Sequence, residues 1–127
     1  MNKKNISPHV QIYKFPITAL SSITTRLTGL YLSGVFIAYG VAKIQNHDAL
    51  IWDTYQKSNQ YLQTMFHYSL LFPTMYHTMG GVRHFVWDRF PSSLLTNTKV
   101  ARSSYVLFAA SSASTFLAEK YMKKERK

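Results

Sequence analysis

The feature that most constrains this chain is the sorting of its charges. Residues 27–42, LTGLYLSGVFIAYGVA, lie between Arg26 and Lys43 without one charged side chain. Residues 58–82 contain no Lys, Arg, Asp or Glu, although His67 and His77 fall among them. A third uncharged stretch, SSYVLFAASSASTFLA at 103–118, is shorter and rich in Ser and Ala. The hydrocarbon core of a bilayer takes about 20 residues of helix at ~1.5 Å each. Extending the first stretch back through 19–25 gives that length and leaves Arg26 near one end of the span. A soluble helix of this length carries a polar face, and residues 27–42 have none. The expected fold class is therefore an all-α membrane protein, a single domain bundling three transmembrane helices. The expected helices are about 19–44, 61–88 and 101–119, with an N-terminal surface segment 1–18 and a basic tail 120–127.

Composition supports this once the sorting is known. The chain has 127 residues, 46% hydrophobic and 15% aromatic, with a formal net charge of +10. A nucleic-acid binder would spread Lys and Arg over a folded face. Here they cluster at the ends and in the connections, so no nucleic-acid partner is expected and membrane lipid is. There is no cysteine, which excludes disulfides, thiolate metal sites and iron–sulfur ligation by this chain. Residues 1–16 have no apolar run of the kind a cleavable secretory signal needs, and no Arg-rich transit peptide is evident.

Lys3, Lys4, Lys14 and Arg26 precede or open the first span, and Arg83, Arg89, Lys99 and Arg102 flank the second connection. The positive-inside tendency puts both on the cytoplasmic or matrix side. Lys43 and Lys57 in the first connection are offset by Asp48 and Asp53, which suits the opposite side. Three spans also put the basic tail there, against the tendency. Pro73 predicts a kink in the second helix, or a later start to it. Gly29 with Ser33, and Gly34 with Ala38, are small pairs of the kind at which membrane helices approach closely.

Two constellations carry chemistry. In HTMGGVRHFVWD, residues 77–88, His77, Gly81, His84 and Asp88 fall at 0, +4, +7 and +11 and form one helical stripe. The two histidines stand ~10 Å apart, too far to share one metal ion. The spacing suits one histidine on a haem iron and the other near the haem edge, with Gly81 leaving room for a flat ring. Histidines hydrogen-bonded to neighbouring helices are the alternative. His67 lies about 80° off this stripe at 100° per residue and is expected to satisfy a neighbouring helix. In the second constellation, Ser22 and Arg26 share a face at i and i+4. An Arg there can bind an anion or polarise a ligand oxygen; alternatively it snorkels to water.

SPHVQIYKFP at 7–16, SSITTRLTG at 21–29 and HTMGGVRHFVWD at 77–88 occur in an order that resembles the cytochrome b large anchor subunit of succinate dehydrogenase, respiratory complex II. The last motif is the most specific, and the third helix matches by character and position. The resemblance implies a three-helix anchor-subunit bundle paired with a small membrane-anchor subunit. Together they would hold the iron–sulfur and flavoprotein subunits on the membrane. It implies that His77 is an axial ligand of haem b shared with the small anchor, and that His84 lies near the haem propionates. It implies a ubiquinone site lined by Ser22, Ile23 and Arg26, with Arg26 also reaching a propionate and Asp88 near the quinone and its proton supply. This chain would oxidise no succinate itself. The implied location is the mitochondrial inner membrane, with a bacterial plasma membrane as the alternative. Three departures are evident, one being that the Arg-Pro pair common just before the SPH segment is missing. Thr25 stands where the family usually has His, which removes a common propionate contact, and Phe90-Pro91 follows the motif where a small residue is usual. A haem-free structural anchor, or an anchor of a quinol:fumarate reductase, are the other functions compatible with these residues.

Overall fold

Apart from Ser58 and Asn59, all three uncharged stretches are helical in the computed structural model, which describes residues 14–125. Lys3, Lys4 and most of the 7–16 segment, His9 included, lie outside the described residues. In chain order, α1 spans Ile17–Ile44, α2 Asp48–Lys57, α3 Gln60–Arg89, α4 Pro91–Leu94 and α5 Asn97–Glu125. There is no strand among the described residues.

Local chemistry sets the ends of these helices. Pro16 is extended at φ −76° and ψ 148°, and its carbonyl accepts from the Ala19 and Leu20 amides. α1 stops at Asn46, whose φ of 58° is a left-handed conformation that Asn tolerates better than most residues. The Asn46 amide returns to the Lys43 carbonyl at 3.1 Å and the His47 amide to Ala42 at 2.8 Å, the paired bonds that satisfy a helix C-terminus. The Asn59 side chain accepts from the Leu62 amide at 2.9 Å and caps the start of α3. α3 then runs through Pro73 without interruption, so the later start is not what the chain adopts. Pro91 opens the single turn of α4, where a missing N–H costs nothing.

Two features differ from the sequence expectation. The first connection contains a helix, α2, and its charges pair: Lys43 with Asp48 at 2.7 Å and Lys57 with Asp53 at 2.6 Å. α5 begins four residues before the expected 101 and continues past 119 to Glu125. Lys is a good helix former, and Lys123 and Lys124 sit in the last turn, where the helix dipole favours cations. The uncharged run therefore marked the apolar part of α5, not its ends.

α3 packs against both α1 and α5, with a lesser contact between α1 and α5. What lies between the helices is small and polar. Ser21, Thr28, Ser104, Ser111 and Thr115 are buried, whereas Tyr76 and Leu107 are the only buried large apolar side chains among the described residues. Four of these five hydroxyls bond inside their own helices: Thr28 bonds the Thr24 carbonyl, Ser104 that of Val100, Ser111 that of Leu107 and Thr115 that of Ser111. The large apolar side chains point outward, with Leu30 73%, Phe36 72% and Phe85 74% exposed. A water-soluble bundle would bury these groups at a gain of about 1.5–3 kcal/mol each. In lipid there is no such gain, and small residues at the contacts let backbones approach. This inside-out distribution is that of a membrane bundle. α1 alone among the described helices is apolar enough to cross a membrane by composition. α3 and α5, with 30 and 29 residues, have the length, and their inward-facing Ser, Thr and His dilute the apolarity.

Gly34 and Ala38, expected at a helix contact, are exposed, and a Cβ on Gly34 would meet nothing within 4 Å. Among the described residues, none packs on Gly34. Of the other small pair, Gly29 is packed and Ser33 is exposed.

Candidate functional site

α1 and α3 meet where the two motif segments cross. Tyr76 is fully buried there, and its hydroxyl lies 3.2 Å from the Ser21 hydroxyl and 3.3 Å from the Ser21 carbonyl. Two glycines make the close approach possible. Gly80 on α3 faces Thr25, whose Oγ1 and Cγ2 would stand 3.2 and 3.3 Å from a Cβ built on that glycine. Gly29 on α1 faces His77, whose Cε1 would stand 2.6 Å from a Cβ. Each helix thus receives a side chain of the other: Thr25 on Gly80 and His77 on Gly29.

The same contact fixes the His77 tautomer. Nδ1 lies 3.0 Å from the Thr25 main-chain carbonyl oxygen. A carbonyl only accepts, so Nδ1 carries the proton and the lone pair sits on Nε2. A histidine held in this way is prepared as a metal ligand through Nε2, the usual arrangement when the other ring nitrogen donates to a backbone carbonyl. His77 is exposed on this chain, so its free nitrogen is open to a partner group. No cluster of three or more His, Cys, Asp or Glu suited to a metal ion occurs among the described residues. Any metal at His77 needs ligands from elsewhere.

The rest of the stripe lies on α3 as expected. Gly81, His84 and Asp88 are exposed, and a Cβ on Gly81 would meet nothing within 4 Å. His84 stands edge-on to Trp87 with ring centroids 5.0 Å apart. Arg83 turns the other way: its guanidinium lies 4.4 Å from the Trp87 ring centroid and donates to the Ser104 hydroxyl of α5 at 3.0 Å. On α1, Ser22 is half-buried, Ile23 is 42% exposed and Arg26 is exposed. Ser22 and Arg26 therefore flank Thr25, whose carbonyl holds His77. What joins the two constellations is main chain and glycine.

Sequence reasoning named His77 and missed three groups that hold it: the Thr25 carbonyl, Gly29 as a seat and Gly80 as the approach point. A carbonyl leaves no trace in a sequence. The glycines do, and Gly81 drew attention because it shares the stripe with His77, whereas its neighbour Gly80 makes the contact. His67 lies toward the other end of α3 and meets two elements. Its Nδ1 is 2.8 Å from Glu119 Oε2 on α5, and its Nε2 is 2.6 Å from the Tyr55 hydroxyl on α2. It satisfies neighbouring helices, as its angle off the stripe suggested.

The same segments match known proteins. The family model of the succinate dehydrogenase/fumarate reductase transmembrane subunit matches residues 1–118. The mitochondrial succinate dehydrogenase cytochrome b560 subunit of Dictyostelium discoideum is 35% identical over 106 residues, covering 81% of this chain and 54% of the relative. The mitochondrial b560 subunit of Homo sapiens is 31% identical over 93 residues, covering 68% and 54%. The b560 subunit of Cyanidium caldarium is 32% identical over 94 residues, covering 65% and 68%. The chain spans about half the length of the first two of these relatives. The mitochondrial names of several relatives, together with a transmembrane family, place the chain in the mitochondrial inner membrane. With the family model covering both motif segments and all three long helices up to residue 118, the chain belongs to the succinate dehydrogenase/fumarate reductase transmembrane subunit family.

Proposed function

We propose that this chain is a membrane-anchor subunit of succinate:ubiquinone oxidoreductase, which contributes to the quinone-reduction site and to haem b binding. Its partners are a small membrane-anchor subunit, an iron–sulfur subunit and a flavoprotein subunit. Succinate oxidation takes place on the flavoprotein, and this chain serves the quinone end. The relatives' names favour the succinate over the fumarate direction.

The observation that carries the reading is the His77 imidazole. Its Nδ1 proton is committed to the Thr25 carbonyl at 3.0 Å, its ring is exposed, and the space beside Gly81 on the same stripe is open. These residues fit a haem, with His77 Nε2 as the ligand on this chain and His84 toward the propionates. Any further protein ligand to the iron would come from the small anchor, since no cluster of three or more His, Cys, Asp or Glu occurs among the described residues. When bound, the haem supplies a one-electron centre in the membrane. The donated Nδ1–H fixes the plane of the ring.

Quinone is the substrate of this chain's other constellation. Ser22 donates its hydroxyl proton to a quinone carbonyl oxygen, and Ile23 offers apolar surface to the ring. Arg26, permanently protonated, compensates negative charge as that oxygen is reduced. Asp88, exposed near the end of α3, takes protons from the aqueous side and passes them toward the site.

A reduced-minus-oxidised visible spectrum of the detergent-purified complex tests the haem part. A b-type band is expected in the parent and is expected to be absent from His77→Ala. No b-type band in the parent would make this a haem-free anchor, with Thr25 as the sequence sign of it. Full quinone reductase activity in an Arg26→Ala complex would remove Arg26 from the quinone site.

A further inference from the structure

We infer that Gly29 is a positioning residue for His77: its missing Cβ is the seat against which the imidazole lies with Nδ1 on the Thr25 carbonyl and Nε2 outward. The inference rests on the proposed role of His77 as a haem ligand and adds a requirement on α1, a helix that supplies no ligand atom.

The geometry separates this role from ordinary helix packing. The three heavy atoms nearest to a Cβ on Gly29 all belong to one imidazole: Cε1 at 2.6 Å, Nδ1 at 3.1 Å and Nε2 at 3.4 Å. Carbon atoms do not approach to 2.6 Å, so one of the two groups must move. The backbone of α1 at this point is held by its own helical bonds and by the buried Ser21 and Thr28, which precede it on the same helix. The imidazole is the end of a side chain with two rotatable bonds, and it is exposed on its other face. It therefore moves first. Swinging away from α1 lengthens the 3.0 Å bond from Nδ1 to the Thr25 carbonyl, and with it goes the constraint on tautomer and ring plane. Gly80 contrasts with this. A Cβ there would meet Thr25 at 3.2–3.3 Å, a contact that tightens the helix crossing and leaves the imidazole untouched. Loss of an outer partner of a metal-bound histidine typically weakens metal affinity on the order of 10–100-fold, and a similar loss is expected here.

Four versions of the assembled complex decide the matter: parent, Gly29→Ala, His77→Ala and the double variant. Each is purified in detergent and assayed for haem-to-protein ratio, the reduced spectrum, the midpoint potential and the melting temperature. In Gly29→Ala the haem ratio is expected to fall at least several-fold, or the potential and band position to shift if haem is retained. In the His77→Ala background, adding Gly29→Ala is expected to change neither assembly nor melting temperature, because the imidazole that would clash is gone. Should Gly29→Ala alone fail to assemble, assembly of the double variant supports the seat. Equal damage in both backgrounds would make Gly29 a general packing residue and overturn it. A parent b-type band that Gly29→Ala leaves unchanged in intensity, position and potential would overturn this role alone. A parent with no b-type band would overturn the haem reading, and this role with it.

Discussion

Thr25 contributes to the site through its main chain, so its side chain can differ from the histidine that the family resemblance implies at that position without removing the partner of His77 Nδ1. The threonine side chain is engaged elsewhere: Oγ1 donates to the Ser21 carbonyl at 2.9 Å, and the methyl faces Gly80. A larger side chain would have to leave that space. Ser21 is shared, since its carbonyl and hydroxyl also receive the Tyr76 hydroxyl from the other helix. Tyr76→Phe keeps the ring, with its contact to Phe108 at 4.8 Å between centroids, and removes only the hydroxyl. The expected loss is about 1 kcal/mol, read as a lower denaturation midpoint of the purified complex in detergent. An unchanged midpoint would mean that bonds of 3.2–3.3 Å contribute nothing net. At this scale the sequence disclosed residue types and their periodicity, which placed His77, Gly81, His84 and Asp88 on one stripe. It could not disclose which carbonyl faced His77, because that depends on the register of α1 against α3. The register is set by Thr25 on Gly80 and His77 on Gly29, a pairing across some fifty residues that no local pattern encodes.

The long helices were legible from uncharged length, and their ends were less so. α5 shows why. Its inward stripe of Ser104, Leu107, Ser111, Thr115 and Glu119 recurs at helical spacing from the apolar part into the basic tail, so the contact with α3 outlasts the uncharged run. Glu119 looked like a boundary charge. It is a buried member of that stripe, 4% exposed, and it reaches His67 of α3 at 2.8 Å. His67 in turn reaches Tyr55 of α2 at 2.6 Å, so one chain of polar groups joins three elements at the end of the bundle opposite Asp88. Removing one partner of a buried hydrogen bond leaves the other desolvated, at a cost of about 1–3 kcal/mol. Glu119→Ala should therefore destabilise the complex by that amount, and Glu119→Gln, which keeps an acceptor oxygen, by less. A Glu119→Ala complex that unfolds with the parent's midpoint would show that the contact adds nothing to stability. α2 itself was not foreseen, because ten residues with three charges give no apolar period. Its Lys–Asp pairs, read in the sequence as an offset of charge, are ion pairs in space.

At the scale of the whole molecule, an odd number of spans has consequences that can be measured. α3 runs antiparallel to α5, since Arg83 meets Ser104 and His67 meets Glu119, and the end of α1 leads into the start of α3 through the first connection. The first connection and the C-terminal end of α5 therefore share one end of the bundle, and α4 lies at the other with the start of α1. The positive-inside tendency agrees for the second connection and disagrees for Lys120, Lys123 and Lys124, which three spans carry to the other side. Either the tendency yields to the packing, or the bundle does not sit across the membrane as three spans require. The chain contains no cysteine, so single substitutions at exposed positions report their side without background. Ser93→Cys in α4 should react with an impermeant maleimide from the matrix side. Gln56→Cys in α2 and Lys124→Cys at the end of α5 should react only from the other. Exposed positions tolerate such changes within about 0.5 kcal/mol, so assembly should be kept. Labelling of Lys124→Cys from the same side as Ser93→Cys would break the three-span arrangement. Labelling of Lys124→Cys together with Gln56→Cys would show that the contacts of α5 with α3, set by small residues and the Glu119–His67 pair, outweigh the bias of its basic end.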